Sequence, residues 1–178
     1  LAKGGMMLLD ADAAEVIYQK MPAGIESSGG SCGNTMAGFA ALGGKGAYIG
    51  KVSDDQFGSV FRHDMRAIGC DFDTPAGTGG PTTGRCLVLV TPDAQRTMCT
   101  FLGAASGLTS GDLDKALLQN ARVVYMEGYL FDQPPAQQAF VDAAEIVHAA
   151  GGEVSVTLSD GFCVDRHRAA FRSLAENH

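Results

Sequence analysis

The stretch Ser27-Ser-Gly-Gly-Ser-Cys-Gly-Asn34 sets hydroxyls, three glycines and one carboxamide within eight residues. Glycines without a Cβ let backbone amides approach a ligand closely, and the free amides of a helix start favour oxygen-rich or anionic partners. Asn34 adds a side chain that both donates and accepts, as a sugar hydroxyl requires. The run from Thr35 to Leu42 is small or apolar throughout, which predicts a helix buried on most of its faces and stopped by Gly43-Gly44. Neither GxxxxGK[ST] nor GxGxxG occurs, so the turn is neither a phosphate loop nor a dinucleotide fingerprint. A Gly-Gly turn ahead of a helix is also ordinary punctuation, and taken alone this one leaves its role open.

Other chemistry-bearing residues have plainer readings. Asp54 and Asp55, in a Ser-Asp-Asp turn, fit a solvated turn and a helix cap better than metal ligation. Glu127, after a short apolar run, either hydrogen-bonds a ligand or caps the next segment. Asp160 fits a residue that stabilises its own turn. Cys163 and His167 lack an orienting partner in the pattern and read as a buried thiol and a surface imidazole. His63, His148 and His178 have no metal-type spacing, and no metal site is expected in the chain.

Composition narrows the classes. The 178 residues are 46% hydrophobic and 19% charged, enough for one sizeable core and unlike a disordered chain. Thirteen basic residues against twenty acidic ones give a net charge of −7, which argues against nucleic-acid binding. Five cysteines without a CxxC pair fit reduced thiols in a cytoplasmic protein. No apolar run reaches membrane-spanning length, so no membrane partner is expected. The chain opens at Leu1 and stops at Asn177-His178 directly after a helical pattern, and it is expected to be a piece of a longer polypeptide.

The elements that must position these residues follow from periodicity. Leu8, Ala13, Val16, Ile17 and Met21 predict a first helix behind Asp10 or Asp12. Ala47–Val52 reads as a strand, followed by a helix over Val60, Phe61, Met65 and Ile68. Two strands joined at Pro92-Asp93 form a hairpin. A helix over Ser110–Gln119, a strand at Val123–Met126, a helix over Ala136–Ala150, a strand at Val154–Leu158 and a helix over Arg166–Asn177 complete the pattern. Strands alternating with helices imply an α/β fold with a mostly parallel sheet, whose ligands bind beyond the carboxyl ends of the strands.

The ordered succession GGSCGNTMAGFAALGG, IGKVSDDQFG, AIGCD and PTTGRCLVLVTPDAQRT resembles the amino-terminal half of the ribokinase-like (PfkB) carbohydrate and nucleoside kinases. Gly29, Gly30, Asn34, Leu42 and Gly43 match the first family signature in order, and FLGAASGLTSGDLD, EGYLFD and TLSDGFCVDRHR are similar to an adenosine-kinase-like branch. The resemblance covers nearly the whole chain. It implies a Rossmann-type α/β sheet with a small β lid, to which residues 82–102 contribute, in a single partial domain spanning 1–178. It implies ATP-dependent phosphorylation of a hydroxymethyl group on a sugar or nucleoside, adenosine among them, with ATP and Mg2+ as cofactors. The substrate-binding residues it implies are Gly29, Gly30, Ser31, Asn34 and Phe162, the last packing on a base. Arg96 is implied to stabilise the transferred phosphate. Pairing of lids in such kinases implies a possible homodimer through the lid.

Departures from the pattern bound the expectation. Ser53 replaces the usual glycine of the VGDD turn. The family's first strand would lie before Leu1, and its DTxGAGD segment, with the general base and most of the ATP site, after His178. The chain alone is therefore expected to be inactive. The alternative reading is a non-catalytic sugar- or nucleoside-binding module of the same fold. A dinucleotide-binding oxidoreductase domain is the weaker third, since its fingerprint is missing.

Overall fold

The computed structural model describes residues 2–178. The chain runs β1 (Met6–Leu8), α1 (Ala11–Tyr18), α2 (Ser31–Ala41), β2 (Gly46–Ala47), α3 (Gln56–Ala67), β3 (Cys70–Asp71), β4 (Thr83–Val90), β5 (Arg96–Gly103), α4 (Lys115–Asn120), β6 (Val123–Glu127), α5 (Pro134–Ala149), β7 (Glu153–Thr157) and α6 (Gly161–Asn177). Short 3-10 turns lie at Ala104–Gly107, Ser110–Asp112 and Gly128–Asp132. Strands β1 and β5, β2 and β3, and β6 and β7 pair in parallel, whereas β4 and β5 pair antiparallel. This is the mostly parallel α/β architecture that the alternating pattern predicts.

The hairpin forms where alternation is strongest. Thr97, Cys99 and Phe101 are buried on one face of β5, while Arg96, Met98, Thr100 and Leu102 point to the more open one. Its turn closes as Thr91 N donates to Gln95 O at 3.0 Å and Thr91 Oγ1 to Asp93 Oδ1 at 2.6 Å, with Ala94 at a left-handed φ of 62°. β1 then adds to the outer edge of β5, in the register Met6↔Met98 to Leu8↔Thr100.

The main core lies between the β6–β7 pair and the two long helices. Ala136, Ala139, Phe140, Ala143, Ala144 and Val147 recur every three or four residues on α5 and are all buried. Phe131 stacks on Phe171 with ring centroids 4.3 Å apart and meets Phe140 edge-on at 5.1 Å. A smaller core gathers Val52, Met65, Cys70 and Phe72 beneath α3.

Asp55 fixes the junction between α3 and the hairpin. Its carboxylate caps α3 by accepting from Gly58 N at 2.8 Å, and it also accepts from Thr83 N at 2.8 Å and Thr83 Oγ1 at 2.7 Å, at the first residue of β4. Burial opposes its ionisation, but the bonds from Thr83 and Gly58 outweigh that and hold its carboxyl below the ordinary range. A depressed folded-state pKa gives stability that is present above about pH 4 and lost as pH falls through the folded value. Asp55→Ala is expected to lower stability by about 1–2 kcal/mol at neutral pH, with a shallower loss on acidification. Urea midpoints at pH 7 and pH 3 measure both, and parallel pH profiles in the two proteins would contradict the assignment.

Several expectations change. Leu8 belongs to β1, and the first helix begins only at Ala11, capped by Asp10, whose side chain accepts from Ala13 N. The predicted strand at 47–52 shortens to Gly46–Ala47, because only two residues find a ladder partner in β3. The 110–119 helix divides into a 3-10 turn and α4, with Asp114 capping the latter. α6 begins at Gly161, five residues before the predicted start, because Asp160 caps it. The non-helical φ of −124° at His167 interrupts the pattern that suggested Arg166.

α2 is the largest correction. Only Gly33 in it is buried, and Phe39 and the following Leu42 are 49% and 89% exposed. Uniformly small residues give a helix no preferred direction, so apolarity alone overstated its burial.

Candidate functional site

The sequence Gly29-Gly30 produces an uncapped helix start. Gly30 is the N-cap of α2 at φ 87°, a left-handed conformation suited to glycine, and no side chain caps the helix. Asn34 N bonds back to Gly30 O at 2.8 Å, while the amides of Ser31, Cys32 and Gly33 precede the first intrahelical bond and lack protein acceptors among the described residues. Asn34 and Ser31 are exposed on this first turn. The turn therefore offers amides, a hydroxyl and a carboxamide to an oxygen-rich ligand.

A buried carboxylate lies on the other side. Glu127 is 9% exposed at the carboxyl end of β6, and Ser159 Oγ donates to its Oε1. No cation pairs with it among the described residues, which leaves it open to a hydrogen-bond donor of a ligand. Burial, then the charges of Glu127 and Cys70, push the Cys32 thiol in the first turn of α2 up to about 11. Burial, then the charges of Cys32 and Glu127, also raise Tyr48. β6, which ends at Glu127, packs against α2. Ser159, opposite Glu127, has a left-handed φ of 68°, uncommon for a residue with a side chain and frequent where structure is held for function. Between them a Cβ on Gly128 would lie 2.6 Å from Thr157 O and 2.8 Å from Phe171 Cζ, so only glycine fits.

Beyond the ends of both strands lies a recess of about 440 Å³, lined by Met6, Met98, Tyr129, Asp160 and Phe162 among others. Phe162 is 72% exposed on the first turn of α6. Burial, then the adjacent Asp160 carboxylate, pushes the Tyr129 phenol up to about 12. Asp160 also accepts from Cys163 N at 2.8 Å, so the turn-stabilising role expected for it is present. Arg96 is exposed two residues from Met98 and on the same face of β5, and its guanidinium forms no hydrogen bond or ion pair among the described residues. A separate depression of about 230 Å³ between α5 and α6 contains none of these residues.

The expected residues therefore fall in two patches meeting at the ends of β6 and β7. Gly29, Gly30, Ser31 and Asn34 lie at the start of α2, and Phe162 lines the recess that Arg96 approaches along β5. Cys163 is fully buried and donates to Gly128 O at 3.1 Å, as the buried-thiol reading holds. His167 is not a surface imidazole, because it is largely buried and its Nε2 lies 2.6 Å from Asp132 Oδ1, which Arg166 also binds. Tyr129, Met98 and Ser159 carried no sequence signal. Tyr129 and Ser159 are brought together by strand pairing across about thirty residues, in the register Glu127↔Thr157, and Met98 reaches Met6 by pairing across about ninety.

Residues 5–170 match the pattern of the pfkB family carbohydrate kinases. The chain belongs to that family. It is similar to the adenosine kinase from Sinorhizobium meliloti, at 48% identity and a TM-score of 0.93, covering 98% of this chain and 53% of that one. It is equally similar to a probable sugar kinase from Rhizobium etli CFN 42, at 47% identity and a TM-score of 0.93 with the same coverage. Fructokinase-1 from Oryza sativa subsp. japonica is 28% identical over 155 residues, covering 85% of this chain and 48% of the relative. This PfkB chain thus spans about half the length of the proteins it matches, and its fold is ribokinase-like.

Proposed function

We propose that the protein is an ATP-dependent phosphotransferase that phosphorylates a hydroxymethyl group of a sugar or nucleoside, adenosine among them, and that this chain supplies the acceptor side of its site. The observation that carries this reading is the uncapped start of α2, a helix packed against the strand that ends at the buried, unpaired Glu127, in a chain matching the PfkB pattern over residues 5–170. Two kinases at 48% and 47% identity to this chain are named for adenosine and for a sugar, which is why both acceptor classes are retained.

In this proposal the amides after Gly29-Gly30, the Ser31 hydroxyl and Asn34 bind acceptor hydroxyls, and Glu127 accepts from one of them. Phe162 and Met98 form an apolar wall for a base. Arg96, on the face of β5 that carries Met98, brings its charge toward the phosphate in flight. Phosphoryl transfer depends mainly on positioning and charge stabilisation, so these contacts hold the attacking oxygen in line rather than take part in covalent chemistry. The hairpin β4–β5 acts as a lid that excludes water.

ATP and Mg2+ are implied by the family. Among the described residues no group of three or more His, Cys, Asp and Glu side chains is able to hold a metal ion. No phosphate-loop pattern occurs in the chain, and its residues form the acceptor side of the site in this reading. All five cysteines are free, which suits the reducing cytoplasm in which we place the protein. No helix among the described residues is long and apolar enough to cross a membrane.

Calorimetric titration of the full-length gene product with adenosine, ribose and fructose, followed by ATP turnover with each, tests this reading. Binding of an acceptor together with ATP consumption supports it. Binding without ATP consumption favours the non-catalytic binding module instead.

A further inference from the structure

The segment that leads into α2 has a single fixed point. Residues 22–27 are exposed throughout, and no atom lies within 4 Å of where a Cβ would sit on Gly24, Gly29 or Gly30. Packing therefore does not set the path of this loop. Among the described residues, the one hydrogen bond joining residues 22–30 to an element other than α2 runs from Ser28 Oγ to Asp64 Oδ2, at 2.6 Å across 36 positions of sequence.

Asp64 stands on a rigid post. It belongs to α3, whose Met65 is 3% exposed and whose Phe61 ring would lie 3.4 Å from a Cβ on Gly33 of α2. Arg62 and Arg66 of the same helix hold the Phe72 carbonyl at 3.2 and 3.0 Å, and Arg62 also holds that of Thr74 at 2.7 Å. The other Asp64 oxygen lies 3.2 Å from Nδ1 of the exposed His63. A carboxylate so held gives Ser28 a fixed acceptor immediately before Gly29 and Gly30.

We propose that Asp64 is a positioning residue for acceptor binding: through Ser28 it sets the entry angle of Gly29-Gly30, and so the direction of the free amides and Asn34 at the start of α2. This rests on the reading of Gly29–Asn34 as the acceptor site. A nine-residue loop with three glycines, exposed over its first six residues, otherwise samples many conformations, and each binding event must restrict them. The tether removes part of that cost before the acceptor arrives. Its loss weakens acceptor binding and leaves the donor side untouched.

The test uses the full-length protein with ATP and whichever of adenosine, ribose or fructose is phosphorylated most efficiently. Ser28→Ala, Asp64→Ala and the double variant are each expected to raise the acceptor KM about fivefold to twentyfold, with ATP KM and the urea midpoint unchanged. The double variant should equal either single one, because both remove the same bond. Hydrogen exchange of amides 29–34 should quicken in each variant. Acceptor KM within twofold of wild type in both single variants, or multiplicative effects in the double one, would overturn the proposal. If Asn34→Ala still raises the acceptor KM under those outcomes, the tether alone fails and the acceptor site stands. If Asn34→Ala has no effect, or none of the three acceptors is phosphorylated, the acceptor-site reading fails and the tether proposal falls with it.

Discussion

Asn34→Ala in the full-length protein is expected to raise the acceptor KM by a free energy of about 1–3 kcal/mol, roughly fivefold to 150-fold. The residue is exposed on the first turn of α2, and its own amide already bonds to Gly30 O, so the carboxamide is free to serve a ligand. Removing it should not disturb the helix, since alanine is the better helix former at that position. The change should therefore appear in acceptor KM, with ATP KM and thermal midpoint unaltered. Steady-state kinetics with the acceptor varied at saturating ATP measure it. An unchanged acceptor KM would remove Asn34 from the site.

Phe131→Ala is expected to cost about 3–5 kcal/mol of stability. Phe131 is 2% exposed, stacked on Phe171 and set edge-on to Phe140, so truncation opens a cavity where three helical segments meet. Gly128, which shapes the Glu127 end of the site, lies against the same Phe171 ring. Loss of this packing should thus lower stability first and acceptor affinity second. The urea midpoint measures the former, and a loss below about 1 kcal/mol would show that the cluster repacks.

Much of the architecture was legible because local signals agreed. The β4–β5 hairpin shows two apolar runs joined by the turn signal Thr91-Pro92-Asp93, and α5 carries apolar residues every three or four positions between Pro134 and Gly151. Each predicts its element without reference to a distant partner. β1 did not announce itself, since Met6-Met7-Leu8 has no alternation and becomes a strand only by pairing with β5 some ninety residues away. The direction of α2 was hidden for a related reason, because Ala, Gly and Met around Asn34 do not distinguish a covered face from an open one.

The site was legible only in part. Gly29, Gly30 and Asn34 stand out because glycine and asparagine in that order before a small-residue helix are specific in type and spacing. Glu127 showed a strand-end position but no indication that it would be buried without a cation. That burial comes from Ser159 and from α2 packing against β6. The Ser28–Asp64 bond joins two ordinary polar residues of no recognisable motif. Folding, not spacing, brings them together.

The most direct test of the central claim is to incubate the full-length protein with ATP, Mg2+ and adenosine, ribose or fructose, and to locate any new phosphate ester by phosphorus–proton NMR correlation. An ester on the hydroxymethyl carbon of at least one acceptor is expected, with that yield falling sharply in Asn34→Ala. An ester on a ring hydroxyl, or acceptor binding with no ester formed, would contradict it.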